Sequence, residues 1–168
     1  MGMAHPDRAL AAVRRALVPK GVLVAALWGE RERLPWWLLP REVTGRYVEL
    51  PPVDPAGPSP FRFGTAEVIE RDFTKAGFTV AHLEEMDIPV VEAEAGAGIV
   101  EWVRAVFGRW IAGLPADKVP AWEADLARDS EAFRTDGMIR VGGVTRIVVA
   151  RVSEIDNPGG GADGRVDA

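Results

Sequence analysis

A helix, a tight turn and a wholly apolar strand follow one another within the first thirty residues of the chain. Leu10, Val13 and Leu17 recur at helical spacing and give this segment one apolar face. Pro19-Lys20-Gly21 ends the helix, and residues 22–28 are then apolar at every position. A strand with no polar residue on either face is typical of a sheet that is covered on both sides. The sequence therefore predicts an α/β fold in which residues 22–28 form a strand packed on both faces.

The rest of the chain alternates helices and strands, apart from residues 29–64, which hold seven prolines and few periodic apolar positions. A segment of this kind inside a compact domain is usually functional or mobile. Periodicity, capping and turn residues predict these further elements in chain order: a short helix at about 36–47, a helix at 65–76 capped by Thr65, an interrupted strand at 78–91, helices at about 99–114 and 117–133, and a hairpin of 138–141 and 144–152 that turns at Gly142-Gly143.

Length and composition predict one domain and exclude several classes of function. We predict a domain over residues 1–152 and a disordered tail over 153–168, which is rich in Gly, Asp and Pro. The net charge of −5 argues against a nucleic-acid partner, which would need a basic face. No apolar run is long enough to cross a membrane, and no signal peptide precedes the first helix, so the expected compartment is the cytoplasm.

Metal and thiol chemistry find little support in the sequence. The chain has no cysteine, which excludes disulfides, thiolate metal sites and a cysteine nucleophile. Its two histidines, His5 and His82, are far apart and follow no metal-ligand spacing. We predict no metal site, and we interpret His82 as a solvated histidine at a strand edge.

Three segments together resemble class I S-adenosylmethionine-dependent methyltransferases of the small-molecule type. They are the pattern D-x-A-L-x-x-x-R-R-x-L-x-P-x-G and the strand after it (7–29), Pro-Phe-Arg-Phe-Gly (60–64) and Ala-Gly-Phe (76–78). The resemblance covers the C-terminal half of that Rossmann-like fold. It implies a mixed sheet of about three strands in the order 22–28, 144–152, 78–91, with helices around it.

The same resemblance implies S-adenosylmethionine as a cofactor, but the family's glycine-rich loop would lie before these segments. Residues 90–98 imitate such a loop, yet Val100 stands where its third glycine would be, and we interpret them as a flexible strand-to-helix connection. We therefore expect this chain alone not to bind the cofactor. Two functions stay open: a methyltransferase-type polypeptide for a small organic acceptor that is inactive alone or depends on a partner, and a non-catalytic ligand-binding or assembly module.

Aromatic residues near the end of the 22–28 strand are the candidate acceptor site, because ligands of α/β sheets sit beyond the carboxyl ends of the strands. No catalytic residue is identified. The alternative is that the aromatic residues only pack the proline-rich segment, and that the arginine makes a surface ion pair. Trp102, Trp110 and Trp122 are assigned to helix packing. The predicted substrate-binding residues are Trp28, Trp36, Trp37, Phe61, Arg62 and Phe63.

The outer edge of the 22–28 strand has no predicted neighbour. An unpaired apolar edge is a template for association. We expect it to be covered by a second copy in a homodimer, by a separate chain that binds S-adenosylmethionine, or by the chain's own first residues.

Overall fold

A computed structural model describes residues 5–52 and 57–153 of the chain. Its helices and strands agree closely with the predicted order of elements. In chain order they are α1 (Pro6–Ala16), β1 (Val22–Trp28), α2 (Pro35–Gly45), α3 (Ala66–Lys75), β2 (Phe78–Ala93), α4 (Gly96–Ile111), α5 (Val119–Ser130), β3 (Arg134–Thr135) and β4 (Met138–Val152).

One sheet organises these elements, and β4 is its central strand. The order is β1-β4-β2, and the two-residue strand β3 also pairs with β4. Every pairing is antiparallel, so β1 and β2 run in one direction and β4 runs against both. The predicted α/β class and the predicted strand order 22–28, 144–152, 78–91 are confirmed.

The predicted hairpin at Gly142-Gly143 is wrong, because β4 runs through both glycines without a turn. A Cβ atom on Gly142 would collide with the carbonyl oxygen of Ile88. A Cβ atom on Gly143 would lie 2.8 Å from Cδ2 of Leu34. Both glycines are therefore explained by the close approach of neighbouring chain segments.

The chain turns instead at Asp136-Gly137, between β3 and β4. Both residues have positive φ angles, 49° and 81°, and the flanking Thr135 and Met138 are paired across the turn. Asp-Gly is a favoured sequence for a two-residue hairpin turn of this conformation.

The interruption predicted within 78–91 takes the form of two irregularities inside one long strand. The register of β2 against β4 shifts between Val80 and His82 and again between Pro89 and Val91. Proline cannot donate a ladder hydrogen bond, so a shift beside Pro89 is the expected way for a strand to accommodate it.

Two apolar cores lie on opposite faces of the sheet. One joins α1 and α3 to the C-terminal half of β4, with Phe73, Val148 and Ala150 at its centre. The other joins α2, α4 and α5 to the N-terminal half of β4 and is built around the fully buried Trp122. The indole N–H of Trp122 donates to Thr44 Oγ1 at 3.0 Å, which ties α5 to α2.

The prediction that both faces of residues 22–28 are covered is wrong for one face. Leu23, Ala25 and Leu27 are half-buried towards α1 and α3, whereas Val22, Val24 and Ala26 alternate with them and are exposed. The side chain of Val24 is 63% exposed. Within the described ranges, the helices on that side of the sheet cover only the N-terminal half of β4.

The predicted 153–168 tail lies outside the described residues, except for Ser153. The amide of Ser153 donates to Gly77 O at 3.0 Å, and its hydroxyl lies 3.0 Å from that of Thr79. These bonds secure the end of β4 against the start of β2. No helix of the described part is both long and apolar enough to cross a membrane.

Substituting Gly142 by alanine tests the continuous β4. We expect Gly142→Ala to lower the free energy of unfolding by about 1–3 kcal/mol, because the added methyl group must displace backbone atoms of β2. Gly108→Ala is the matched control: a Cβ there meets no atom within 4 Å, and alanine is the better helix former by about 0.5–1 kcal/mol. Urea unfolding measures both. Equal stability of Gly142→Ala and the parent chain would contradict the close packing.

Candidate functional site

Aromatic side chains gather where β1 ends and α2 begins. Pro35 occupies the first turn of α2, where a missing N–H costs nothing, and it is followed directly by Trp36 and Trp37. The ring of Trp36 lies 4.8 Å from that of Trp28, and the ring of Trp37 lies 4.9 Å from that of Phe61.

Two further rings of this aromatic cluster come from α4. The ring of Trp110 lies 4.8 Å from that of Trp37 and stacks on the ring of Phe107 at 4.6 Å.

The structure brings four of the six predicted site residues into this cluster and separates the other two from it. Phe63 is buried in the core beneath α3, 5.9 Å from Phe73. Arg62 is half exposed, and its guanidinium lies 3.8 Å from the Asp72 carboxylate. The contact of Arg62 agrees with the ion-pair alternative. Whether any of the six residues binds a ligand stays a prediction.

Two clefts lie on either side of residues 59–61. The smaller, about 210 Å³, is lined by Trp28, Arg62 and Phe63 together with Pro6 and neighbouring backbone. The larger, about 310 Å³, we call the Trp37 cleft. Its walls are Trp37, Arg41, Pro51, Pro52, Gly57, Pro58, Ser59, Pro60, Phe61 and Trp110.

Aromatic and proline side chains form the walls of the Trp37 cleft, and Arg41 is its charged group. The guanidinium carbon of Arg41 lies 5.7 Å from the centre of the Trp110 ring, a cation–π distance. Arg41 also donates to the carbonyl oxygen of Pro51 at 2.9 Å, which holds the proline-rich wall against α2. Arg41 is therefore positioned by two contacts at the rim of an apolar cavity.

Two indole N–H groups of the cluster are buried without a hydrogen-bond acceptor among the described residues, those of Trp36 and Trp37. A buried donor left unsatisfied costs about 1–3 kcal/mol. Trp36 is enclosed in the core, whereas Trp37 lines the cleft. Both N–H groups are closed off from solvent, so the ring surface of Trp37 is what the cleft offers to a ligand.

Sequence reasoning missed Arg41 and assigned Trp110 to packing alone. Arg41 lies four residues after Trp37 on the same helix, and residues at this spacing share a face. That signal was present in the sequence. The approach of Trp110 depends on how α4 packs against α2, for which the sequence carries no local signal.

A charge cluster joins the loop after β1 to the other two long strands. The Arg146 side chain is buried and its Nη2 atom lies 3.0 Å from both Glu30 Oε1 and Glu85 Oε2. Arg33 donates to Glu85 through Nη1 at 2.9 Å. The hydrogen bond from Arg33, and to a smaller extent Arg146, holds the pKa of Glu85 below its ordinary value. This cluster anchors the chain between β1 and α2, and so positions Trp36 and Trp37.

The glycine segment at 90–98 is explained by packing rather than by a flexible connection. Gly96 begins α4, and a Cβ on it would lie 2.7 Å from the Cα and Cβ of Ala127 in α5. A Cβ on Gly98 would lie 2.8 Å from the Cβ of Ala93. Their absent side chains allow helices and strand to meet closely, so this segment does not fit a cradle for S-adenosylmethionine.

The histidine and acidic side chains of the described residues do not form a metal site. His82 is exposed as predicted and lies 3.4 Å from Glu84. The part of the chain that the structure describes holds no group of three or more histidine or acidic residues able to hold a metal ion.

Comparison with known proteins gives no family for the chain. No family model matches it, and no curated protein matches it. It is similar to a solved structure titled "Crystal Structure of the [4+2]-Cyclase SpnF" at 19% identity and a TM-score of 0.38, over 90% of this chain and 45% of that chain. The chain thus spans less than half the length of that protein, and a likeness at this TM-score carries no conclusion on activity here.

These findings overturn the assignment to class I methyltransferases. No methyltransferase model or curated relative supports it, and the solved structure named above is titled as a cyclase. The pattern at 7–29 that suggested the family describes a helix, a turn and an apolar strand, which many α/β proteins share. The S-adenosylmethionine cofactor and the separate cofactor-binding chain depended on that assignment and are not carried further. The homodimer stays a prediction.

The charge cluster makes a prediction about stability and pH. Because the pKa of Glu85 is lowered in the folded chain, the unfolded chain takes up a proton first, at about pH 4.3. The stabilisation from Glu85 is therefore complete well above that pH and is lost as the pH falls through the folded pKa. We expect Glu85→Gln to lower the urea midpoint at pH 7 and to differ progressively less from the parent chain towards pH 3.

The control for this prediction is Glu101→Gln, a substitution of an exposed residue on α4. It should change the midpoint little at any pH. A deficit of Glu85→Gln that stays constant from pH 7 to pH 3 would contradict the role given to the Glu85 carboxylate.

Proposed function

We propose that the chain is a non-catalytic binding module whose Trp37 cleft holds a small, flat, largely apolar organic molecule. The observation that carries this proposal is the cleft itself, where the aromatic rings of Trp37, Phe61 and Trp110 and a proline-rich wall enclose a space with Arg41 at its rim.

Size and lining of the cleft support a ligand of one or two rings. Small-molecule sites occupy about 300–1,000 Å³ and combine apolar walls with a few placed polar groups. The Trp37 cleft, at about 310 Å³, is at the lower end of that range. Trp37, Phe61 and Trp110 offer ring faces and edges for stacking, and the prolines of the opposite wall are conformationally restricted.

Arg41 favours a ligand that carries a negative charge. A guanidinium has five N–H donors in a planar fork that matches a carboxylate, and the bond from Arg41 to Pro51 occupies one of its nitrogens. A carboxylate at the rim would meet Arg41 while the rings enter the apolar interior. We therefore propose an aromatic carboxylic acid as the ligand class.

The lining supports binding more than catalysis. General acid–base chemistry needs a titratable side chain within hydrogen-bond reach of the substrate. The residues that line the Trp37 cleft in the described ranges include no carboxylate, imidazole or lysine. An assembly role is a second candidate, favoured by the exposed apolar face of β1.

Binding of 1-naphthoate, followed by quenching of tryptophan fluorescence and by calorimetry, tests the proposal. We expect saturable binding, weakened about 2–10-fold by Trp37→Phe, because phenylalanine offers the ligand a smaller aromatic surface than the indole. We expect Arg41→Gln to weaken 1-naphthoate about tenfold more than the neutral analogue 1-naphthalenemethanol, whose loss reports only the changed support of the proline-rich wall.

Trp102→Phe is the matched control, because Trp102 contacts Phe107 of the same cluster but does not line the cleft. Binding of both probes by this variant should equal that of the parent chain. The absence of saturable binding up to millimolar concentration, or equal losses in Trp37→Phe and Trp102→Phe, would contradict the assignment.

A further inference from the structure

An apolar patch occupies half of one sheet face, and nothing in the described ranges covers it. Register places Val24 opposite Val149 and Ala26 opposite Ile147, and side chains of directly paired residues point to the same face. The exposed fraction is 41% for Val22 and 63% for Val24. We call this patch the open half-face; its apolar members are Val22, Val24, Ala26, Ile147 and Val149, and the register places Thr79, His82, Glu84 and Arg151 in the same three rows.

The residues of β1 are more apolar than expected for a strand with one face exposed, as β1 is in a single copy of the chain. Antiparallel strands with one face in water normally alternate apolar and polar residues. Yet β1 is apolar on both faces, although one of them is open. A contiguous exposed apolar patch rimmed by polar residues is typical of an interaction surface.

Opposite charges lie at two places on the patch, one at its end and one along its side. Arg151 pairs with Val22 and Thr79 and lies at the end of the sheet where β4 finishes. Glu84 pairs with Ile147, four residues along β4, and its described partner is His82 at 3.4 Å. The patch therefore has a positive end and a negative flank.

Few large apolar residues lie outside the described ranges of the sequence. Residues 154–168 follow the end of β4 at the Val22 end of the sheet, and their large apolar residues are Ile155 and Val166. Residues 1–4 include two methionines, and residues 53–56 include Val53. A second copy instead brings the same five apolar side chains and the complementary charges.

We propose that the open half-face is the interface of a homodimer in which two sheets pack face to face. Homodimers are mostly two-fold symmetric, so a patch must complement itself. A two-fold axis perpendicular to the strands, above the row of Val24, Val149 and His82, reverses the order of rows in the partner. Val22 then lies over the partner's Ala26, and Arg151 lies over the row that holds the partner's Glu84.

Dimensions allow these contacts. Rows on one face of a strand are about 7 Å apart, neighbouring strands about 4.8 Å, and packed sheets about 10 Å. An arginine side chain spans much of the gap between sheets, so Arg151 can reach the carboxylate of the partner's Glu84 at the rim. The large residue Val22 meets the small residue Ala26 on each side of the axis, which lets the two surfaces interdigitate.

The size of the patch predicts a weak dimer. Three rows on three strands give roughly 300 Å² in projection per copy, well below the roughly 800 Å² per partner of a standard interface. We therefore expect a dissociation constant in the micromolar range rather than an obligate assembly.

Sedimentation equilibrium of the full chain between about 1 and 300 µM tests the proposal. We expect a monomer–dimer equilibrium that Val24→Lys weakens at least tenfold, because a lysine ammonium would have to be buried at the centre of the interface. Val18→Lys is the matched control: Val18 is 71% exposed and directly follows α1, the helix that packs on the opposite face of the sheet. Circular dichroism and urea unfolding verify that both variants fold.

Charge reversal tests the orientation of the two copies. Arg151→Glu and Glu84→Arg should each weaken the dimer about 3–10-fold, and the double variant should restore it to within about twofold of the parent chain. Pairing through the outer edge of β1 would instead survive Val24→Lys and would not respond to the charges. A chain that stays monomeric at 300 µM, a dimer unaffected by Val24→Lys, or equal losses in Val18→Lys and Val24→Lys would overturn the proposal.

Discussion

The antiparallel pairing of β4 with both β1 and β2 is the interaction on which the rest of the structure depends. Each half of β4 presents buried side chains to a different face, so one strand supports both cores. The same pairing positions Trp28 at the end of β1, where α2 brings Trp36 against it at 4.8 Å. Among the residues that the structure describes, it also leaves half of one face uncovered, because the helices on that side pack only along the first part of β4.

Local signals in the sequence were sufficient for most of the elements. The apolar spacing and Pro-Lys-Gly stop around α1, the cap at Thr65 and the apolar run of β1 depend on neighbours in the chain, and the structure confirms them. The predicted turn at Gly142-Gly143 is wrong because contacts with distant parts of the chain, and not a local turn, require glycine at these positions. Gly142 faces the backbone of Ile88 and Gly143 faces Leu34. The chain turns at Asp136-Gly137, and Asp-Gly is a sequence that by itself predicts a two-residue hairpin turn.

The candidate site was predictable in part for the same reason. Their position after the first strand predicted that Trp28, Trp36, Trp37 and Phe61 lie together, and the structure confirms this grouping. Phe63 instead lies in the other core, because α3 packs above it. Arg41 shares a helix face with Trp37 and was within reach of sequence reasoning. Trp110 was not, since helix packing between α2 and α4 brings it there. The family assignment failed because a helix, turn and strand describe a common arrangement and not a chemistry.

Backbone nuclear Overhauser contacts on either side of Gly142-Gly143 test the central strand most directly. An unbroken β4 predicts cross-strand contacts from Val141 to Val91 and from Val144 to Asp87, so that both sides of the glycine pair reach β2. Contacts between Val141 and Val144 across a tight turn, with those to β2 missing on one side, would contradict it. In that case the two cores, the placement of the Trp37 cleft and the open half-face would all lose their support.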